Sequence, residues 1–133
     1  MAAVTVMPMA SRTFENPVCS AIDWAPDRVG EGQARATLGM AKALDLFSSA
    51  VVLIGSAPTA LELLIERVQS GYPSPALVIG MPVGFVGVAE CKKHLSSSGL
   101  PHIRLEGSRG GAGLVAAATN ALLRRSWLDQ ASI

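Results

Sequence analysis

Two four-residue runs constrain this chain more than any other feature. Val51-Val-Leu-Ile54 and Ala76-Leu-Val-Ile79 are apolar at every position, and each is stopped by a glycine, Gly55 or Gly80. A strand with one wet face alternates apolar and polar residues. A run with no polar position needs cover on both faces, the situation of a parallel strand between layers of helix. The runs begin 25 residues apart, room for one return helix and short connections. Beyond each glycine stands a proline, Pro58 or Pro82, and then a helical pattern. From Thr59 to Gln69, Leu61, Leu64, Ile65 and Val68 share one face, with Thr59 placed to cap the helix. Gly71 and Tyr72-Pro-Ser-Pro75 end that helix and return the chain to an extended path.

The same reading adds strands at Val18–Ile22 and His102–Leu105. It adds helices at Glu31–Phe47, where Ala34, Leu38, Ala41 and Leu44 recur at helical spacing, at Phe85–Leu95, and from Ala112 to Trp127. Residues 1–17 carry no clear period. Alternating strand and helix with short connections predicts an α/β fold: three layers, an open, mostly parallel sheet and Rossmann-like right-handed connectivity. Residues 1–133 read as one domain. Four strands make a thin sheet for so apolar a chain, so either a partner chain completes it, as in a homodimer or other homo-oligomer, or part of an ancestral domain is absent.

Composition narrows the function classes. Half of the 133 residues are apolar and 16% are charged, enough for a core and too apolar for disorder. Net charge is +1 and the eleven Lys and Arg are scattered, which argues against a nucleic-acid footprint. Cys19 and Cys91 are too far apart for a CxxC or zinc knuckle, so neither metal nor other cofactor is expected. No apolar run is long enough to span a membrane, and Met1–Ala10 lacks the basic start of a leader. A cytoplasmic protein is the expectation.

Parallel strands place the loops at their C-terminal ends along one edge, where open α/β sheets bind ligands. Three loops qualify: Gly55-Ser56-Ala-Pro58-Thr59, Gly80-Met-Pro82-Val83-Gly84-Phe85, and Gly107-Ser-Arg109-Gly110-Gly111-Ala-Gly113. Their helix starts offer backbone N–H groups to phosphate or carboxylate, and Arg109 adds a two-pronged clamp. Neither GxGxxG nor a Walker lysine frame is present, which argues against a nucleotide. Glu90 and Lys92 follow the second loop, with Glu90 facing either the crevice or water. His94 is placed to cap its helix, and His102 opens the last strand, at the end of the sheet opposite the loops.

These residues carry a resemblance. Ala50-Val-Val-Leu-Ile-Gly-Ser-Ala-Pro-Thr-Ala-Leu61, Pro75-Ala-Leu-Val-Ile-Gly-Met-Pro-Val-Gly-Phe-Val86 continued to Glu90-Cys-Lys92, and Gly107-Ser-Arg-Gly-Gly-Ala-Gly113 followed by Asn120-Ala-Leu122 resemble the precorrin-8X methylmutase family. A vaguer similarity extends upstream through Asn16–Asp23. The resemblance implies an α/β homodimer that moves a methyl group from C-11 to C-12 of a corrin, precorrin-8X or its cobalt analogue, in cobalamin biosynthesis. It implies that Ser56, Pro58, Thr59, Pro82, Val83, Gly84, Phe85, Glu90, Lys92, Arg109, Gly110 and Gly111 contact the macrocycle. The family's pattern has Asn where this chain has Ser56, and Ser where it has Cys91. Its proton-donating histidine lies in an Arg-x-x-His segment, whereas both histidines here lie beyond position 90. The chain therefore reads as the C-terminal two thirds of the enzyme, shortened at its N-terminus, with His102 as the candidate left for proton transfer. Two other functions fit the same loops: a non-catalytic tetrapyrrole carrier or partner subunit, and a small α/β binder of a phosphorylated metabolite.

Overall fold

The computed structural model describes residues 2–28, 30, 35–47, 49–84 and 86–131. Its sheet has three parallel strands, β1 (Val51–Ile54), β2 (Leu77–Gly80) and β3 (His102–Arg104), in the order β1-β2-β3. Val51 stands opposite Leu77, and Val78 opposite His102. Five α-helices surround it: α1 (Ala2–Arg12), α2 (Arg35–Leu46), α3 (Pro58–Gln69), α4 (Val88–Ser97) and α5 (Ala112–Ala131).

Side-chain alternation along the strands assigns the layers. Val52, Ile54 and Val78 bury one face of the sheet against Met40 of α2, Leu61, Leu64 and Ile65 of α3, and Cys91 and Leu95 of α4. Leu53, Leu77 and Ile79 turn to the other face, where Val115 and Ala118 of α5 cover them. The fully apolar strands are thus covered on both sides, as their composition requires. Gly80 ends β2 on the α3–α4 side, and a Cβ there would stand 2.8 Å from Leu95 Cδ2. Its missing side chain lets helix and sheet pack closely; it does not make room for a ligand.

The upstream strand expected at Val18–Ile22 does not form. Ser20 is extended, at φ −98° and ψ 131°, but a 3₁₀ turn follows at Ala21–Trp24. An extended segment becomes a strand only when another backbone lies beside it, and among the described residues the sheet pairs only β1, β2 and β3. Gly39 of α2 fits against this turn, because a Cβ there would meet the Ala21 carbonyl oxygen at 2.3 Å.

Helix α1 forms in the stretch whose sequence carries no clear period. Val6, Ala10 and Thr13 are buried at i, i+4 and i+7 spacing, and α1 packs on α5. Pro8 inside the helix and the β-branched Thr5 and Val6 hide this pattern in the sequence. Beyond its end, Phe14 meets Trp127 of α5 edge to face at 5.4 Å. The helix expected at Glu31–Phe47 is found at Arg35–Leu46, its first four expected residues lying outside the described ones. The one expected at Phe85–Leu95 begins at Val88, because Gly87 takes up the left-handed conformation at φ 73° ahead of it.

Candidate functional site: three knitted loops

Parallel pairing puts the three glycine-containing loops at one edge of the sheet, and specific contacts hold them together. A Cβ on Gly55 would stand 2.7 Å from Ala112 Cα, so the first loop lies directly against the start of α5. The Gly111 N–H donates to the Met81 carbonyl at 2.8 Å, and the Gly84 N–H donates to the Ser108 carbonyl at 3.1 Å. Gly110 passes so close to the second loop that a Cβ would stand 2.0 Å from the Met81 oxygen. These close approaches explain the glycines at 55 and 110 as steric necessities. They also consume two N–H groups, at Gly84 and Gly111, that the loop sequences alone offer to a ligand.

Lys92 lies beneath this junction. It sits in α4 and is only 1% exposed. Its Nζ donates to the Gly107 carbonyl at 2.8 Å and the Arg109 carbonyl at 2.5 Å. A buried ammonium is costly unless hydrogen-bonded, and these carbonyls compensate it. Burial still pulls its pKa below the usual lysine value. Next to it, Cys91 is fully buried with its Sγ directed at the Val88 carbonyl, 3.2 Å away. Burial, followed by the nearby Glu62 carboxylate, pushes that thiol pKa up.

The other expected site residues divide by depth. Ser56 and Thr59 are exposed in the first loop and Pro58 is half-buried. Pro58 is the first residue of α3 and Ala57 holds the cap position, so Thr59 lies inside the first turn and does not cap. Pro82 is buried, Val83 is exposed, and Gly84 adopts φ 132°. Phe85 lies outside the described residues. Glu90 is exposed in the first turn of α4, where a carboxylate complements the helix dipole. Arg109 is exposed at the tip of the third loop, with Gly110 and Gly111 half-buried behind it.

Neither imidazole reaches these loops. His102 pairs with Val78 near the start of β2, and its Nδ1 lies 2.7 Å from the Leu100 carbonyl oxygen. That places it at the opposite end of the sheet. His94 does not cap α4; its Nδ1 reaches Glu62 Oε2 of α3 at 2.6 Å. Among the described residues no cluster of three or more His, Cys, Asp or Glu is arranged to hold a metal. No helix there is long and apolar enough to cross a membrane. The edge thus offers exposed Arg109, exposed apolar Val83 and Val86, and backbone donors, chemistry for an anion attached to an apolar body.

Comparison with known proteins is consistent with this chemistry. The family profile described as CbiC, precorrin-8X methylmutase, matches residues 1–125. The chain is 45% identical over 121 residues to the cobalt-precorrin-8 methylmutase of Synechocystis, covering 91% of this chain and 55% of that protein. It is 45% identical over 93 residues to the precorrin-8X methylmutase of Pseudomonas aeruginosa, covering 68% and 45%. The crystal structure of precorrin-8X methylmutase from Thermus thermophilus superposes with a TM-score of 0.82 at 40% identity, covering 93% of this chain and 61% of that one. The chain spans about half the length of the curated relatives it matches.

Proposed function

The chain belongs to the precorrin-8X methylmutase family, and from that premise we propose that it binds a corrin macrocycle at the three-loop edge and serves the C-11 to C-12 methyl migration of cobalamin biosynthesis. The observation that carries this reading is the knitted edge itself. It holds glycine backbone, Arg109 and exposed Val83 at one place, matching a ligand with many carboxylates around a broad apolar ring. On this reading Arg109 pairs with a peripheral carboxylate while Val83 and Phe85 lie along the ring. Ser56, Thr59, Glu90, Gly110 and Gly111 complete the contact, with Pro58 and Pro82 shaping the loops. Residues 1–133 act as one domain of a cytoplasmic homodimer, and the macrocycle is either metal-free or cobalt-containing.

The position of the two imidazoles favours a second reading. Migration needs a proton donor at the ring, yet His94 is engaged with Glu62 and His102 lies at the far end of the sheet. A chain that holds the corrin while the proton comes from another polypeptide fits that placement.

Visible absorption distinguishes the readings. Purified protein is titrated with hydrogenobyrinate, then incubated with precorrin-8X. Bound pigment with turnover supports the methylmutase, and bound pigment without turnover supports the holding role. The absence of any spectral shift at micromolar pigment would sink both.

A further inference from the structure

Lys92 has a consequence for what faces the ligand. The peptide bonds of the described residues are trans, so the N–H of each residue points opposite to the carbonyl of the one before it. Lys92 draws the Gly107 and Arg109 carbonyls down to one buried ammonium. The N–H groups on the other side of those two peptides belong to Ser108 and Gly110, and they point away from Lys92. The intervening peptide is turned sideways, its Ser108 carbonyl taken by the Gly84 N–H. Among the described residues neither the Ser108 nor the Gly110 N–H has a hydrogen-bond partner.

We propose that Lys92 is a positioning residue whose buried ammonium turns the Ser108 and Gly110 amides outward as a donor edge for carboxylate. Arg109, exposed between them, adds the positive charge. The lysine never touches the ligand; it fixes the two carbonyls whose orientation sets the amides. Backbone N–H groups held on one side of such a loop make an anion site without a cationic side chain in direct contact. The proposal rests on the corrin reading only for the natural ligand; the preference for carboxylate follows from the loop.

Amide NMR of the whole chain tests the two separately. Tricarballylate, a small polycarboxylate, should move the Ser108 and Gly110 amide protons downfield in a saturable way, while its neutral triamide should not. Stationary signals at both residues, or equal movement with the triamide, would overturn the donor edge. In Lys92→Met, affinity for hydrogenobyrinate should fall about tenfold, the effect of misplacing one charge-assisted hydrogen bond. The preference for carboxylate over amide should shrink with it to what Arg109 alone supplies, and Lys92→Arg should restore part of both. Unchanged preference in a folded Lys92→Met protein would refute the positioning role. If Lys92→Met does not fold, the titrations of the unmodified protein still decide the donor edge, and Lys92→Arg, which keeps a cation on the two carbonyls, decides the positioning role. Amide shifts that stay as in the native chain support it, and their loss in the folded Lys92→Arg protein overturns it. Tricarballylate shifts without corrin binding would leave the donor edge standing and remove the corrin reading; corrin binding with both amides stationary would do the reverse.

Discussion

Gly110 crosses Met81 with no room for a side chain: a Cβ would stand 2.0 Å from the Met81 carbonyl oxygen, at a backbone φ of 156°. The obstacle is main chain of the neighbouring loop, so neither partner yields by a rotamer change. Gly110→Ala should separate the second and third loops and break the adjacent Gly111–Met81 hydrogen bond. The expected cost is about 2 kcal/mol, with at least a tenfold loss of corrin affinity on the corrin reading proposed above. Urea unfolding and a pigment titration measure the two effects. Gly71→Ala provides the contrast, since its left-handed φ of 98° carries backbone strain but no neighbouring atom.

Lys92 gives a signed pH dependence. Burial lowers its folded pKa below the ordinary lysine value of 10.5. Between that lowered value and 10.5 the unfolded chain holds a proton that the folded chain has released, so this group's contribution to stability rises with pH and is lost as pH falls through the folded value. Cys91 acts oppositely, because its folded pKa lies above 9.0 and its contribution falls as pH climbs beyond that point. The stability difference between the native chain and Lys92→Met, measured in urea from pH 7 to 10.5, should therefore grow with pH. A flat difference would contradict the assignment. At neutral pH the variant should lose about 2 kcal/mol through its unpaired loop carbonyls.

The two thiols should differ sharply toward a disulfide reagent. Cys19 is exposed and Cys91 is buried, and only the thiolate attacks. At pH 8 one equivalent should react quickly and the second only after denaturant is added. Cys19→Ser should abolish the quick phase. A quick phase that survives that substitution would show Cys91 to be accessible.

The His94–Glu62 contact links α4 to α3 at 2.6 Å with both side chains about one third exposed. Solvent screening holds such pairs to a small value. A double-mutant cycle with His94→Ala and Glu62→Ala should give a coupling of roughly 0.5 kcal/mol. Because the pair lies away from the loop edge, on the corrin reading proposed above neither variant should change corrin affinity by more than a factor of two.

Much of this architecture is legible locally. The runs at 51–54 and 76–79 are apolar at every position, and Val51–Ile54 and Leu77–Gly80 become strands set between two helical layers. Leu61, Leu64 and Ile65 read as one helical face and are buried as one. Other features depend on partners distant in sequence. Val18 to Ser20 has strand-forming residues, but only a neighbouring backbone makes a strand. Thr59 is a good capping residue placed two positions too late, after Pro58 had already begun the helix. Helix α1 is held by its burial against α5 at the other end of the chain, a relationship its proline-interrupted sequence does not advertise.

The sequence by itself determined the parallel α/β plan and the convergence of three glycine-containing loops on one edge, because strand cover and strand direction follow from periodicity and spacing. Only the tertiary structure decided the roles within that edge. A lysine at 92 looks like a ligand-facing cation in sequence and becomes the buried support of the third loop. Gly110 reads in sequence as one glycine of an anion-binding loop and proves to pass so close to the Met81 carbonyl that no Cβ fits there. The physical reason is the same in both cases: side-chain burial and loop-to-loop contact depend on which backbone lies a few ångströms away, and spacing along one chain does not encode that distance.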